Sequence, residues 1–277
     1  MTEGWIRVER DHFPAGFSGE WHHHPQAQLI YPGRGVMVLH TRQGQWVVPP
    51  LQGCWLPARE DHRVETSVGF EMLSAYCQGP LLRRLPGRCG IVVVSPLLRE
   101  VIRALEGEGQ AGRARRHLCF VFADELRLAP APALFLPPMA TPAMKAIEAA
   151  LAAAPGDATT LAEWAARLGT TTRTLARAFQ REALMGFTAY RRQVRLRAAL
   201  VRLAEGQAVT VVAHDLGFGS ASNFIRDFRQ ATGVTPKRIF QPRAGHPGPA
   251  MHETPGTGWA ASGNDDPFDK TAGRTAS

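Results

Sequence analysis

The sequence predicts two domains. The first is an N-terminal all-β domain with a short helical extension; the second is a C-terminal all-α domain built from a double helix-turn-helix. Three observations predict this. Short apolar and aromatic runs cut by glycine and proline fill residues 5–80. Past residue 156 the apolar spacing becomes helical. A helix, glycine turn and capped helix then occur twice, at an offset of 48–49 residues. The length, 277 residues, also favours two domains, since one domain usually holds roughly 100–200.

The N-terminal runs are QLIY (28–31), GVMVLHT (35–41), WVVP (46–49), CWLP (54–57), HRVET (62–66) and EMLSAYC (71–77). Many short strands at short spacing indicate a sandwich or a small barrel. Ile91–Val94 reads as one more strand. Ser95 then caps a helix with Pro96 at its first position, running to about Leu105. A serine hydroxyl satisfies an orphan helix N–H, and proline's fixed φ suits the first turn. GEGQAGRARRH (107–117) reads as a polar loop, 118–128 shows no single period, and APAPALFLPP (129–138) is proline-rich and extended. Thr141–Ala153 is a short amphipathic helix ended by Pro155-Gly156. The expected domains are thus residues 1–140, a linker helix and hinge at 141–158, a helical domain at 159–242, and a tail at 243–277. That tail is rich in Gly, Pro, Ser, Thr and Asp and is expected to be disordered.

In the helical half Leu161, Trp164, Ala165 and Leu168 share a face, as do Leu175, Ala178 and Phe179. Tyr190, Val194, Ala198 and Val201 share another, with Arg191, Arg192, Arg195, Arg197 and Arg202 assigned to the surface. A last helix starts at Pro236 and reaches about Phe240. Residues 164–179, WAARLGTTTRTLARAF, align with 212–228, VAHDLGFGSASNFIRDF. Ala165 matches Ala213, Leu168 matches Leu216 and Gly169 matches Gly217. After one extra turn residue, Thr171 matches Ser220, Leu175 matches Phe224, Arg177 matches Arg226 and Phe179 matches Phe228. Alanine allows close helix approach, glycine a tight turn, and Thr171 and Ser220 supply caps. The second helix of such a unit enters a DNA major groove.

Charge supports this reading. The formal net charge is +8, which a polyanionic partner would match. Residues 1–155 carry 16 Lys/Arg against 14 Asp/Glu, whereas 156–243 carry 14 against 6. Only one of those fourteen cations is lysine, and arginine's planar fork suits phosphate and guanine. A composition of 44% hydrophobic and 20% charged residues is globular. No run of 18 apolar residues predicts a transmembrane helix, and the N-terminus lacks an apolar signal core. Cys54, Cys77, Cys89 and Cys119 form no CxxC, so reduced, buried cysteines and a cytoplasmic location are expected, with no membrane partner. No Ser-His-Asp pattern, P-loop or GxGxxG in context offers catalytic chemistry.

These motifs carry a resemblance. Residues 160–241 resemble the DNA-binding domain of the AraC/XylS family of transcription regulators. The run V-A-x-x-L-G-F-x-S-x-S-x-F-x-R-x-F (Val212–Phe228), the G-V-T-P at Gly233–Pro236 and the joining helix RLRAALVRL (195–203) carry it. Ile239-Phe240 stands where the family often has Tyr-Arg. Upstream, WHHHPQAQLIYPGRGVMVLHTRQGQWVVPP (21–50) with CWLPAREDH (54–62) is similar to the cupin sensor domain of one branch of that family. The resemblance implies an N-terminal cupin barrel that senses a small-molecule effector, double-stranded DNA as partner, and a non-enzymatic role. It also points to RNA polymerase and a homodimer as further partners, with helix 96–105 as a dimer or interdomain contact or simple packing on the barrel. Groove-facing positions map onto Thr171, Thr172, Arg173, Ala176 and Arg177, and onto Ser220, Ala221, Ser222, Asn223, Ile225 and Arg226. One of Arg177 and Arg226 would read a base and the other clamp a phosphate.

His22, His24, Gln28 and His62 sit where cupins place their ligands and are the expected effector contacts. Imidazoles two residues apart on a strand face the same side, so His22 and His24 share a cavity while His23 faces away. His22, His24 and His62 together could bind zinc, nickel or iron. The usual carboxylate is replaced by neutral Gln28, so no cofactor is expected and polar effector contacts are preferred to a metal. Tyr31, Trp46 and Trp55 are expected in the core. The alternative function is a metal-dependent cupin enzyme, a dioxygenase or isomerase, fused to a DNA-binding module.

Overall fold

The chain is described by a computed structural model that covers residues 4–106, 112–129 and 134–239. The tail expected at 243–277 lies outside the described residues. Eight strands fill the first 93 residues: β1 (Ile6–Phe13), β2 (Ala27–Arg34), β3 (Met37–Thr41), β4 (Gly44–Val48), β5 (Gln52–Leu56), β6 (His62–Glu65), β7 (Phe70–Cys77) and β8 (Gly90–Val93). A ninth, β9 (Phe135–Leu136), follows two helices, α1 (Pro96–Leu105) and α2 (Gly112–Glu125).

The strands form two open antiparallel sheets, ordered β1-β7-β2-β5-β8 and β6-β3-β4-β9. This corrects the expected cupin barrel. A barrel needs a continuous ladder around its circumference. Here β1 and β8 end one sheet and β6 and β9 end the other, and only isolated bridges such as His22↔His62 and Ser18↔Glu65 touch the β6 edge. Two further expectations change. Residues 112–117 are not loop, and α2 runs through the segment that showed no period, burying Cys119, Phe122 and Ala123. β1 pairs with β7 over its whole length, from Ile6↔Cys77 to Phe13↔Phe70.

Side-chain alternation gives each sheet two buried faces. Ile30, Cys54, Leu56 and Met72 of the five-stranded sheet meet Met37, Leu39, Trp46, Val48 and Val64 of the four-stranded one. The other face of the five-stranded sheet, with Leu29, Leu73 and Ala75, is covered by Leu98, Ile102 and Phe122 of α1 and α2. Ser95 Oγ accepts from Leu98 N at 3.0 Å and so caps α1 as expected. The apolar stripe of α1 is thereby buried within the chain. All four cysteines are buried and free.

The outer face of the four-stranded sheet carries the helical half. That half comprises α3 (Pro142–Ala153), α4 (Leu161–Arg167), α5 (Thr172–Ala178), a π turn (Phe179–Ala183), α6 (Phe187–Ala204), α7 (Val209–Asp215), α8 (Ala221–Thr232) and α9 (Pro236–Ile239). Val36, Val47 and Leu134 join Leu200, Phe224 and Phe228 in one core. Leu136 joins Met144, Ile147, Phe179 and Tyr190 in another. The joining helix α6 therefore buries two stripes. The expected single face of Tyr190, Val194, Ala198 and Val201 is divided: Tyr190 and Val194 face the first unit, whereas Leu196, Ala199, Leu200 and Leu203, with Ala198 at the margin, face the second.

Candidate functional site

Each helix-turn-helix unit is set by its own local chemistry. Thr160 and Glu163 form a reciprocal capping box at α4. Gly169 and Gly217 turn the chain with φ of +61° and +68°. Thr171 Oγ1 accepts from Thr174 N and Ser220 Oγ from Asn223 N, each at 3.1 Å, so the two second helices begin alike. Leu175 and Phe224 anchor these helices in the core. The opposite faces are open. Thr171, Thr172, Arg173 and Arg177 are exposed and Ala176 half-buried; Ser220, Ser222, Asn223, Ile225 and Arg226 are exposed and Ala221 half-buried. All the sequence-expected DNA positions thus lie on two outward faces. Arg226 Nε contacts Asp227 at 3.4 Å, while Arg173 and Arg177 have no acidic partner among the described residues.

Not every arginine of this half serves those faces. Arg195 donates to the carbonyls of Gly217 (2.8 Å) and Asp157 (3.0 Å), tying the second turn to the segment after α3. Arg191 donates to Thr159 O at 3.2 Å. Arg197 is withdrawn from water, contrary to its surface assignment. Its Nη2 donates to Gln45 Oε1 of β4 at 2.7 Å, its Nε is buried without a partner, and burial lowers its pKa to about 10.

The second cluster lies at the β6 edge. His22 and His62 exchange backbone bonds, His22 N to His62 O at 2.9 Å and His62 N to His22 O at 2.8 Å. Their rings lie 4.4 Å apart, with His24 5.0 Å from His22 and 5.4 Å from His62. One ring nitrogen from each lies within 4.8 Å of the others. His22 Nδ1 contacts Glu20 O at 2.9 Å and His62 Nδ1 contacts Glu60 O at 2.8 Å. A carbonyl only accepts, so both Nδ1 atoms carry a proton. His24 Nε2 is buried without a hydrogen-bond partner. Burial, followed by the neighbouring imidazoles, lowers the pKa of His24 to about 4. Burial does the same for His62, outweighing its bond to Glu60, so both are neutral at pH 7.

Gln28 lies on the same inner face. It pairs in register with Tyr76, whose ring packs edge-on to His24 at 5.1 Å. Its Nε2 donates to Ser74 Oγ at 3.0 Å and its Oε1 is buried without a partner. His23 faces outward to Asp61 at 3.1 Å, as expected, although residues 22–24 lie outside a strand. Tyr31, Trp46 and Trp55 are buried. Three imidazoles at this spacing fit a divalent ion, or the polar groups of an organic molecule.

Similarity to known proteins follows both halves. Residues 6–119 match the AraC-like ligand binding domain, and residues 164–241 match a helix-turn-helix domain family. The chain is 31% identical over 222 residues to the HTH-type transcriptional regulator NimR of Escherichia coli (strain K12), covering 79% of this chain and 81% of that relative. The chain belongs to the AraC/XylS family. It is a DNA-binding transcription regulator with an N-terminal ligand-binding domain. A second relative, the HTH-type transcriptional regulator RipA of Corynebacterium glutamicum, is 35% identical over 117 residues, 40% of this chain and 35% of its own. Both relatives carry the names of regulators. Crystal structures of ToxT from Vibrio cholerae align over 85% of this chain and 97% of theirs at 10% identity and a TM-score of 0.36. No helix among the described residues is long and apolar enough to cross a membrane.

Two further exposed residues beside Arg173 and Arg177 fall outside the sequence-expected set. Gln180 and Arg181 line one open concavity, of about 560 Å³, with Arg173, Ala176 and Arg177. Their spacing from Arg173, seven and eight residues, was the available signal. The repeated motif stops at Phe179, one residue short of them.

Proposed function

We propose that this regulator reads a specific duplex with the faces of α5 and α8 in two major grooves about one helical turn apart, and that an effector bound at the histidine cluster sets its affinity. The observation that carries the first statement is the pair of equally capped helices whose outward faces hold Arg173, Arg177 and Arg226. Arg177→Ala and Arg226→Ala are each expected to weaken binding to a duplex selected from a random pool. The expected loss is about 1–3 kcal/mol where the arginine reads a base, with relaxed discrimination at that position. Gel shifts with selected and scrambled duplexes check this. Equal affinity of the full-length protein for both at physiological salt excludes sequence-specific reading. In this proposal the protein works in the cytoplasm, with RNA polymerase downstream and a second copy for paired sites.

At the effector site the imidazoles of His22, His24 and His62 and the unpaired Gln28 Oε1 supply acceptors to a molecule carrying hydrogen-bond donors. The sealed, partnerless His24 Nε2 favours a second reading, in which a divalent ion anchors the effector. Protein made without a histidine tag and passed through gel filtration after zinc exposure is expected to retain one equivalent. His24→Ala is expected to lose it. No retained zinc in the parent protein would leave the imidazoles to an organic effector alone. The family assignment and the regulator names of the relatives disfavour the enzyme alternative.

A further inference from the structure

The π turn that follows α5 contains a carboxylate with two jobs. Glu182 is 6% exposed, between the two halves of the chain. Its Oε2 accepts from Ala140 N (3.0 Å), Thr141 N (3.0 Å) and Thr141 Oγ1 (3.3 Å), the residues that connect β9 of the N-terminal sheet to α3. Its Oε1 accepts from Arg181 Nη2 at 2.7 Å. Burial alone would raise this carboxyl, but the two backbone N–H groups and the guanidinium outweigh it and hold it down to about 2. The carboxylate is therefore a fixed anion, pinned by the connector on one side and holding an arginine on the other.

Arg181 itself is 66% exposed, on the wall of the concavity it shares with Arg173, Arg177 and Gln180. A π turn winds the chain less per residue than an α turn. Arg181 follows Arg177 by four residues and Arg173 by eight, so helical spacing already sets it on their side, and the slower winding of the π turn keeps it there. The first residues of a recognition helix meet base edges, and its far end emerges at the groove wall, where phosphates lie. The repeat offers a contrast. At the offset of 49 the second unit has Gln230 and Ala231 in place of Arg181 and Glu182. Gln230 Oε1 is occupied by Arg192 Nη2 at 3.0 Å.

We infer that Arg181 is a DNA phosphate contact of the first reading face, and that Glu182 is a positioning residue that fixes it relative to the connector from the ligand-binding half. This rests on the proposal that α5 enters a groove. The two halves of the molecule then meet DNA through a single buried carboxylate, and movement of residues 140–141 displaces the Arg181 guanidinium directly.

Salt titrations of full-length protein on a mixed-sequence duplex, together with the selected duplex, test it. For Arg181→Gln the plot of log K against log salt is expected to be less steep by about 0.9, the loss of one phosphate contact. Affinity should fall by a similar factor on both duplexes. Glu182→Gln, which keeps the shape, is expected to lose the same increment of slope. The double variant should lose no more than either single one, which a merely structural role for Glu182 would not produce. An unchanged slope in Arg181→Gln, in a protein whose Arg177→Ala variant does lose binding, overturns the inference alone. If the unaltered protein binds no duplex, the groove-reading proposal itself fails.

Discussion

Phe228→Ala is expected to lower the unfolding free energy by about 3–5 kcal/mol, the usual loss for a large aromatic cut from a packed core. Phe228 has no exposed surface. It sits in the core that joins α6 and α8 to Val36, Val47 and Leu134 of the N-terminal half. With roughly 5–15 kcal/mol of stability in an ordinary protein, this loss should loosen the second reading unit and its seat on the sheet together. For a chain of this size a drop in Tm of roughly 10 °C is expected, with loss of specific DNA binding. Ile225→Ala is the control. It lies on the same helix but is 37% exposed, so its stability should change by no more than about 0.5 kcal/mol while its DNA affinity changes. Equal Tm values for Phe228→Ala and the parent protein would contradict the shared core.

The second large effect concerns Arg197 and Gln45, and its sign depends on which partner is removed. Gln45→Leu leaves a guanidinium withdrawn from water without its acceptor, and a loss of about 1.5–3 kcal/mol is expected. Arg197→Met removes the charge along with the need for a partner. That variant is expected to be neutral or more stable, because desolvating a charge often costs more than its bonds return. Besides His40, Glu148 and Tyr190 feel Arg197. Burial raises the pKa of both, and the cation opposes it. Thermal unfolding of the two variants decides the matter. If Arg197→Met were the more destabilised of the pair, the contact would be a net support rather than a poised joint. A joint of this kind suits a regulator, since two arrangements of the halves must differ by little for a ligand to choose between them.

What was legible in the sequence was local. The caps at Ser95, Thr171 and Ser220 need only neighbouring residues, and each accepts the N–H three residues on. His22 and His24 do share a side as expected, but residues 22–24 lie outside a strand, with only an isolated bridge from His22 to His62, so alternation is not the cause. β1 was not legible because IRVERDHF buries only Ile6 and Val8, and its strand character comes from β7, some 60 residues away. α2 was hidden because its first turns are RARRH and its buried set is only Cys119, Phe122 and Ala123. The barrel expectation failed for a similar reason. Strand count and spacing are the same for open sheets and a closed ring, and which edges pair is a long-range property. Arg197 reads as surface in any single-helix pattern. Its burial depends on Gln45, which lies 152 residues away.

The four-stranded sheet is one residue thick between its two occupied faces. Along β3, Met37 and Leu39 face the ligand-binding core while Val38 packs toward the reading units. Along β4, Trp46 faces inward and Gln45 and Val47 outward. In β6, His62 belongs to the histidine cluster, and its neighbour Arg63 pairs with Glu65, which holds His40 at 2.7 Å. Adjacent residues in these strands therefore pack against different neighbours, one against the other sheet and the next against the helical half. Substitutions can alter either contact separately so long as the parity of the strand is kept. A one-residue insertion or deletion inside it would exchange the two sets wholesale.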